Sequence, residues 1–504
     1  MLMKSGWVNI DSFISVYNDK ELLNSFLKVN KMSSISETEI SCLYTFFKRL
    51  KPLLNSRQKF GYIFNQIVED GFREEFDILR FTNNSILNIE LKTEYPKDGL
   101  EGIFDQLDRH SYLLGTLGRD VHAFTYVEKT DELFKIDNGE LVKATFNNIV
   151  DDIGEDYIEE NILSHIDSST VIISPYSEPE RFIKSRYFLN DKQKGIRNAI
   201  LKQNKGKFSI SGGVGTGKSL VLFDLAKKFK FNKSKSILYI FVASMNNATQ
   251  LSTQYGFPFK SISEVKNRDI EYFNDFDVIL IDEAQRLTKE QYELFIEVTS
   301  IIIFSVDKAQ TLKHNEKTID IENLLSENTN IENFKLSQRV RTDKALSTFI
   351  RKLFNLREKN LEPMEFPKIN AVYFSKIEEA KVFIKNCIDV ENYYCIEIAE
   401  YTTVTSRKKK RKQLLSNSEN GFTVIGREYD NVLIPIDERI NYNEDAKLVA
   451  QTYEWYPYLE TNNLFEGITR VKKNLLFVVI NNPTMFKTIQ EIITWYKDRK
   501  MTKK

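Results

Sequence analysis

The stretch FSISGGVGTGKSLVLFDLAKKF, residues 208–229, decides the fold. Within it Gly212–Ser219 fits the pattern GxxxxGK[ST]. Four strand-prone residues precede this loop and an apolar helical series follows, which is the strand–loop–helix setting a phosphate-binding loop needs. Glycines let successive backbone N–H groups turn toward one phosphate, and the helix N-terminus adds its positive end. Gly212, Gly215 and Gly217 are the candidate cradle residues. Lys218 is expected to reach the β- and γ-phosphates of ATP, and Ser219 to hold Mg²⁺.

Working outward, Val278–Leu287 reads VILIDEAQRL. An apolar strand there delivers two acids at its C-terminal end. Asp282 is the candidate Mg²⁺ acid and Glu283 the candidate general base for an attacking water. Further apolar strands are expected at residues 237–243 and 301–306, then at 371–374, 432–435 and 475–480, separated by helical patterns. That is the rhythm of parallel sheets. Upstream the pattern differs. Ser36 and Glu39 form a capping box ahead of Ile40, Leu43, Phe46 and Phe47. Residues 76–81 and 86–92 flank a short turn and read as a β-hairpin, followed by a helix at 100–115 and a strand at 122–127. The expected fold class is α/β, a mixed-sheet N-terminal domain over residues 1–178 followed by two parallel-sheet domains over 179–330 and 331–504.

Composition narrows the function. The 504 residues carry 71 Lys plus Arg against 71 Asp plus Glu, so the net charge is zero. A neutral total argues against a purely electrostatic nucleic-acid binder while allowing a local basic groove. One basic run, Arg407–Lys412, reads either as a solvated loop or as a contact to a nucleic-acid backbone. The three cysteines are scattered, which suggests a reducing compartment, and the four scattered histidines offer no zinc site. No secretory signal, membrane span or membrane partner is expected, and the expected location is the cytoplasm.

The order of motifs from about residue 180 to 500 resembles a superfamily 1 helicase motor. Gln193 in FLNDKQKGI resembles the glutamine that reads adenine. Ser305–Gln310 (SVDKAQ) resembles motif III, which makes Gln310 a γ-phosphate sensor. Leu336–Thr342 (LSQRVRT) resembles motif IV, so Arg341 maps to an arginine finger. Val424–Val432 (VIGREYDNV) resembles motif V through Gly426 and Glu428, and Leu464–Lys473 (LFEGITRVKK) resembles motif VI, with Arg470 as the second finger. The resemblance implies two RecA-like halves that close on ATP. The sequence departs from the pattern at motif Ia, where residues 243–248 read ASMNNA without the usual Pro-Thr pair, and it leaves no room for large accessory insertions.

In the N-terminal hairpin, Glu90 and Lys92 are two apart on one strand and share a face, and Asp77 comes from the strand before. Two carboxylates can bind Mg²⁺ or Mn²⁺, and a lysine can orient or activate water. The spacing D-x₁₂-ExK resembles the PD-(D/E)XK nuclease family, and Gln106 on the next helix resembles the glutamine of RecB-like members. The Pro-Asp of the family's name is absent, since Phe76 precedes Asp77; Glu75 is a further candidate acid. Together these resemblances imply a bacterial nuclease–helicase fusion acting on DNA, of a build that includes phage-defence enzymes. Two other readings stand beside it. In one, the N-terminal domain is an inert docking module and ATP switches nucleic-acid affinity. In the other, the enzyme is directed to RNA, since Schlafen-like proteins carry related compact motors.

Overall fold

The computed structural model describes the chain except for residues 1–5, 31, 33–34, 70–71, 167–172, 246, 338–343, 403–408, 417, 451–455 and 502–504. The chain forms two compact units. The first comprises residues 1–171 and Arg181–Asn190, the second Ile172–Glu180 and Asp191–Lys504. The division therefore falls at three points along the chain, and the residues C-terminal to 190 form one unit.

Among the described residues of the N-terminal unit, β1 (Tyr62–Glu69), β2 (Arg73–Phe81), β3 (Ser85–Lys92), β4 (Asp120–Val127), β5 (Glu132–Asp137) and β6 (Glu140–Ala144) form one sheet in chain order. Every neighbouring pair is antiparallel except β3 and β4. The β2–β3 turn is tight because the Thr82 hydroxyl accepts the N–H groups of Asn84 and Ser85. A parallel step from β3 to β4 needs a crossover, which the helix Gly99–Gly115 supplies. The helix Glu37–Leu50, with the expected Ser36–Glu39 capping box, covers one face. There Phe13, Phe46, Phe47 and Phe64 pack with Ile78 and Ile89. Leu113 and Leu114 of the crossover helix pack with Leu79, Phe81 and Ile86.

Among the described residues of the second unit, a first sheet holds β7 (Lys207–Gly212), β8 (Ile237–Phe241), β9 (Phe259–Ser261), β10 (Val278–Asp282), β11 (Ile301–Val306) and β12 (Ile331–Leu336). The spatial order is β12-β7-β11-β10-β8-β9, and every pair is parallel. Every residue of β8, β10 and β11 is buried, as expected of strands covered on both faces. The second sheet places Ile369–Phe374, Val471–Ile480, Tyr429–Ile436, Tyr394–Glu397 and Glu419–Asn420 side by side, again all parallel. Along Val471–Ile480 the pleat sends Leu475, Phe477 and Val479 to one core and Leu476, Val478 and Ile480 to another. No helix of the described residues is long and apolar enough to cross a membrane.

Candidate functional site

The phosphate loop leaves the end of β7 and enters the helix Lys218–Lys233. Gly215 and Gly217 have φ of +75° and +82°, the left-handed region that lets the loop wrap. At Gly212 space, not φ, forbids a side chain: a Cβ there would lie 2.6 Å from the Leu336 carbonyl oxygen on β12. The Lys218 ammonium donates to the Gly212 and Gly213 carbonyls at 2.7 and 3.2 Å and stands 3.4 Å from Asp307. Gln193 is fully buried and donates from Nε2 to the Thr216 carbonyl at 2.9 Å, so this amide braces the loop itself.

The acids stand at the end of β10. Asp282 is buried; Oδ1 accepts the Glu283 N–H at 3.0 Å, and Oδ2 accepts the hydroxyls of Tyr176 at 2.5 Å and Tyr239 at 3.1 Å. Glu283 sits at φ +62°, a conformation that costs a non-glycine residue roughly 1–3 kcal/mol and that recurs at functional sites. Its carboxylate accepts the Gln285 amide at 2.7 Å and lies 3.5 Å from Arg286. Burial raises its pKa; Arg286 opposes this, and Asp282 and Glu466 add to it. A raised carboxyl suits a proton acceptor.

A continuous polar chain crosses from the first sheet to the second. Asp307, at the end of β11, faces Lys218 and accepts the Gln310 amide at 2.6 Å. The Gln310 Oε1 accepts from Arg470 at 3.3 Å, and Arg470 is held by Glu466 at 2.7 Å. Arg470 ends the turn after the helix Glu460–Ile468, where the strand Val471–Ile480 begins. Gly426 and Glu428 line the same cleft as Lys218, Ser219, Glu283 and Arg470. Gly426 has φ +75°, and a Cβ on it would meet the Tyr176 ring at 3.2 Å. Arg341, most of its LSQRVRT segment and the start of the basic run fall outside the described residues. The donor set fits magnesium-bound ATP, because the Ser219 hydroxyl and one carboxylate suffice when phosphates and water complete the shell.

In the N-terminal unit the β2–β3 ladder stops at Ile78 and Ile89. Beyond it the Asp77 side chain takes over, its Oδ2 accepting the Leu91 N–H at 2.7 Å. Burial, then the charge of Glu90, pushes the Asp77 carboxyl up to about 7, against the pull of the Leu91 N–H and of Lys92. Glu90 is buried and accepts from Gln106 at 2.7 Å; its other oxygen is 3.0 Å from His110 Nδ1. The opposite ring nitrogen of His110 is 3.2 Å from Glu74. Burial lowers the imidazole pKa, but Glu90 and Glu74 outweigh it, so the net shift is upward. Glu75 stands elsewhere: it is exposed and paired with Arg73 at 2.6 Å. Among the described residues no group of three or more His, Cys, Asp or Glu is arranged to hold a metal ion. Asp77 and Glu90 are two hard oxygen donors of the kind Mg²⁺ or Mn²⁺ takes, with the rest of the shell left to water and substrate.

Sequence reasoning missed Glu74, His110, Tyr176, Tyr239 and Asp307 as members of these clusters. For His110 a signal existed, since it lies four residues after Gln106 and therefore on the same helix face. For the two tyrosines there was none, because their partner is far away in sequence.

A glycine-wrapped loop at the end of one parallel sheet, an acid pair two strands away and an arginine from a second parallel sheet define a P-loop nucleotide-dependent motor with RecA-like sheets. Residues 205–456 match the Schlafen group 3 DNA/RNA helicase domain, and the chain belongs to that family. No curated protein matches the chain in sequence. Similar solved structures include the Pif1 helicase from Candida albicans, with 11% identity, 62% of this chain and 99% of that one covered, and a TM-score of 0.34. Bacteroides Pif1 bound to single-stranded DNA is 12% identical over 62% of this chain and 98% of its own, with a TM-score of 0.29.

Proposed function

We propose that this protein is an ATP-driven nucleic-acid translocase of the superfamily 1 type, coupled to a metal-dependent nuclease in its N-terminal unit, with DNA as the substrate. The observation that carries the motor is the chain Lys218–Asp307–Gln310–Arg470, which joins the phosphate loop to an arginine of the second sheet. In this reading Lys218 neutralises the phosphates, and Ser219 and Asp282 hold Mg²⁺, which supplies charge neutralisation at the transferring phosphoryl. Glu283 takes the proton of the attacking water, and Gln310 and Arg470 meet the γ-phosphate, where charge develops. Gly426 and Glu428 border the nucleotide, and Arg341 adds a second positive charge.

The nuclease reading is supported by Asp77, Glu90 and Lys92 on adjacent strands, with Gln106 donating to Glu90. A role in cutting phage DNA rests on the family resemblance of the whole build. One observation favours the docking alternative: both Glu90 oxygens are engaged, by Gln106 and His110. RNA is the other candidate substrate, in keeping with the DNA/RNA wording of the family's description.

The test is cleavage of single-stranded and supercoiled DNA, with single-stranded RNA as competitor, in Mg²⁺ or Mn²⁺ and with or without ATP. Lys92→Ala is expected to abolish cutting and spare ATP hydrolysis, and Lys218→Ala to abolish ATP hydrolysis and spare the cutting seen without ATP. ATP hydrolysis on DNA with no cut product under either metal establishes the docking module instead.

A further inference from the structure

Residues 173–180 span the expected domain boundary at 178, yet they pack inside the motor unit, while residues 1–171 and Arg181–Asn190 on either side belong to the N-terminal unit. This strap runs along the nucleotide cleft. The Tyr176 ring lies among Phe223, Phe241 and Phe259, with centroids 5.1, 5.0 and 6.0 Å away. Its hydroxyl donates to Asp282, and the Tyr239 hydroxyl, 3.1 Å from it, donates to the same oxygen. The strap is also tied to elements around both sheets. Tyr255 donates to the Pro175 carbonyl at 2.7 Å, Ser174 to the Gly426 carbonyl at 3.3 Å, and Lys472 pairs with Glu178 at 2.7 Å.

We propose that this strap is the element through which the motor's magnesium site and the N-terminal unit sense each other, with Tyr176 as the positioning residue for Asp282. The proposal rests on the motor reading above. Two phenols fix the direction in which the carboxylate presents its remaining lone pairs. A cation at Asp282, direct or through water, draws on the same oxygens and weakens the hold on Tyr176. Linkage makes the effect reciprocal: whatever the strap does to magnesium affinity, magnesium does to the strap. Because the chain passes from the strap straight into residue 181 of the other unit, the change has a covalent route outward.

The experiment uses the full chain and a fluorescent ATP analogue, titrated in Mg²⁺ and in EDTA, together with hydrogen exchange of peptides spanning residues 173–190. Tyr176→Phe keeps the ring and removes only the donor. It is expected to cut the magnesium-dependent gain in nucleotide affinity roughly tenfold, while leaving the affinity in EDTA unchanged. In the wild type, magnesium plus nucleotide is expected to change exchange across 173–190, and Tyr176→Phe to abolish that response. Tyr239→Phe removes the other donor from a strand outside the strap; it is expected to weaken the magnesium-dependent gain but keep the exchange response. Wild-type magnesium dependence in Tyr176→Phe, or a strap indifferent to magnesium and nucleotide in the wild type, overturns the proposal alone. A wild-type chain that binds no nucleotide overturns the motor reading and the proposal with it.

Discussion

Glu283 and Asp77 show how single side chains are tuned by where the backbone leaves them. Glu283 is buried, strained at φ +62°, and raised in pKa. Replacing it by glutamine keeps an acceptor for the Gln285 amide and removes the proposed base. Glu283→Gln is therefore expected to bind nucleotide normally and to hydrolyse it roughly 100-fold or more slowly, as read by steady-state phosphate release. Asp77 is the reverse of the usual acid, because its folded pKa, about 7, lies above the ordinary aspartate value of about 3.9. The folded state then holds a proton that the unfolded chain has released between these two values. Stability of the N-terminal unit is expected to fall as pH rises from about 4 to about 7. Chemical denaturation in EDTA across that range measures it. Asp77→Asn, which cannot ionise, should flatten the slope; an unchanged slope would assign it to other groups.

At the scale of elements, the phosphate loop depends on a neighbour that the motif does not name. Gly212 pairs with Leu336 on β12, and a Cβ would strike backbone oxygen, which cannot swing aside. Gly212→Ala is expected to destabilise the motor unit by roughly 1–3 kcal/mol, seen as a lower melting temperature even without nucleotide. The loop, the acid pair and the strands that carry them were legible because each is a local pattern: apolar runs of strand length, glycines at fixed offsets, a helix behind. The mixed sheet was legible in its central hairpin, in the crossover helix Gly99–Gly115 and in β4. β1, β5 and β6 lack a distinctive local signature and are held by partners chosen in three dimensions. The same cause explains the acid at the N-terminal cluster. Glu75 was the candidate acid in the sequence, but the alternation of side chains along β2 puts its neighbour Glu74 beside His110 and leaves Glu75 exposed. Gln193 was legible as a site residue, yet its amide meets the loop carbonyl of Thr216.

For the whole molecule, two compact units predict two energetic responses. Magnesium plus a non-hydrolysable ATP analogue at about 100 times its dissociation constant should stabilise the motor unit by roughly 2.7 kcal/mol. Scanning calorimetry should show the later or earlier of two transitions move while the other stays, and Lys218→Ala should remove the movement. The interleaved boundary has a different consequence, one for how such a protein can be taken apart or inherited. A chain that crosses between units at 172, 181 and 191 has no single point where scissors leave both pieces whole. A fragment starting at residue 191 loses the tyrosine that donates to Asp282, and one ending at 171 loses ten residues of its own fold. Gene fusion or loss at this junction must therefore carry the stitch of residues 172–190 along, so the two halves are expected to travel through evolution as a sewn pair rather than as interchangeable beads.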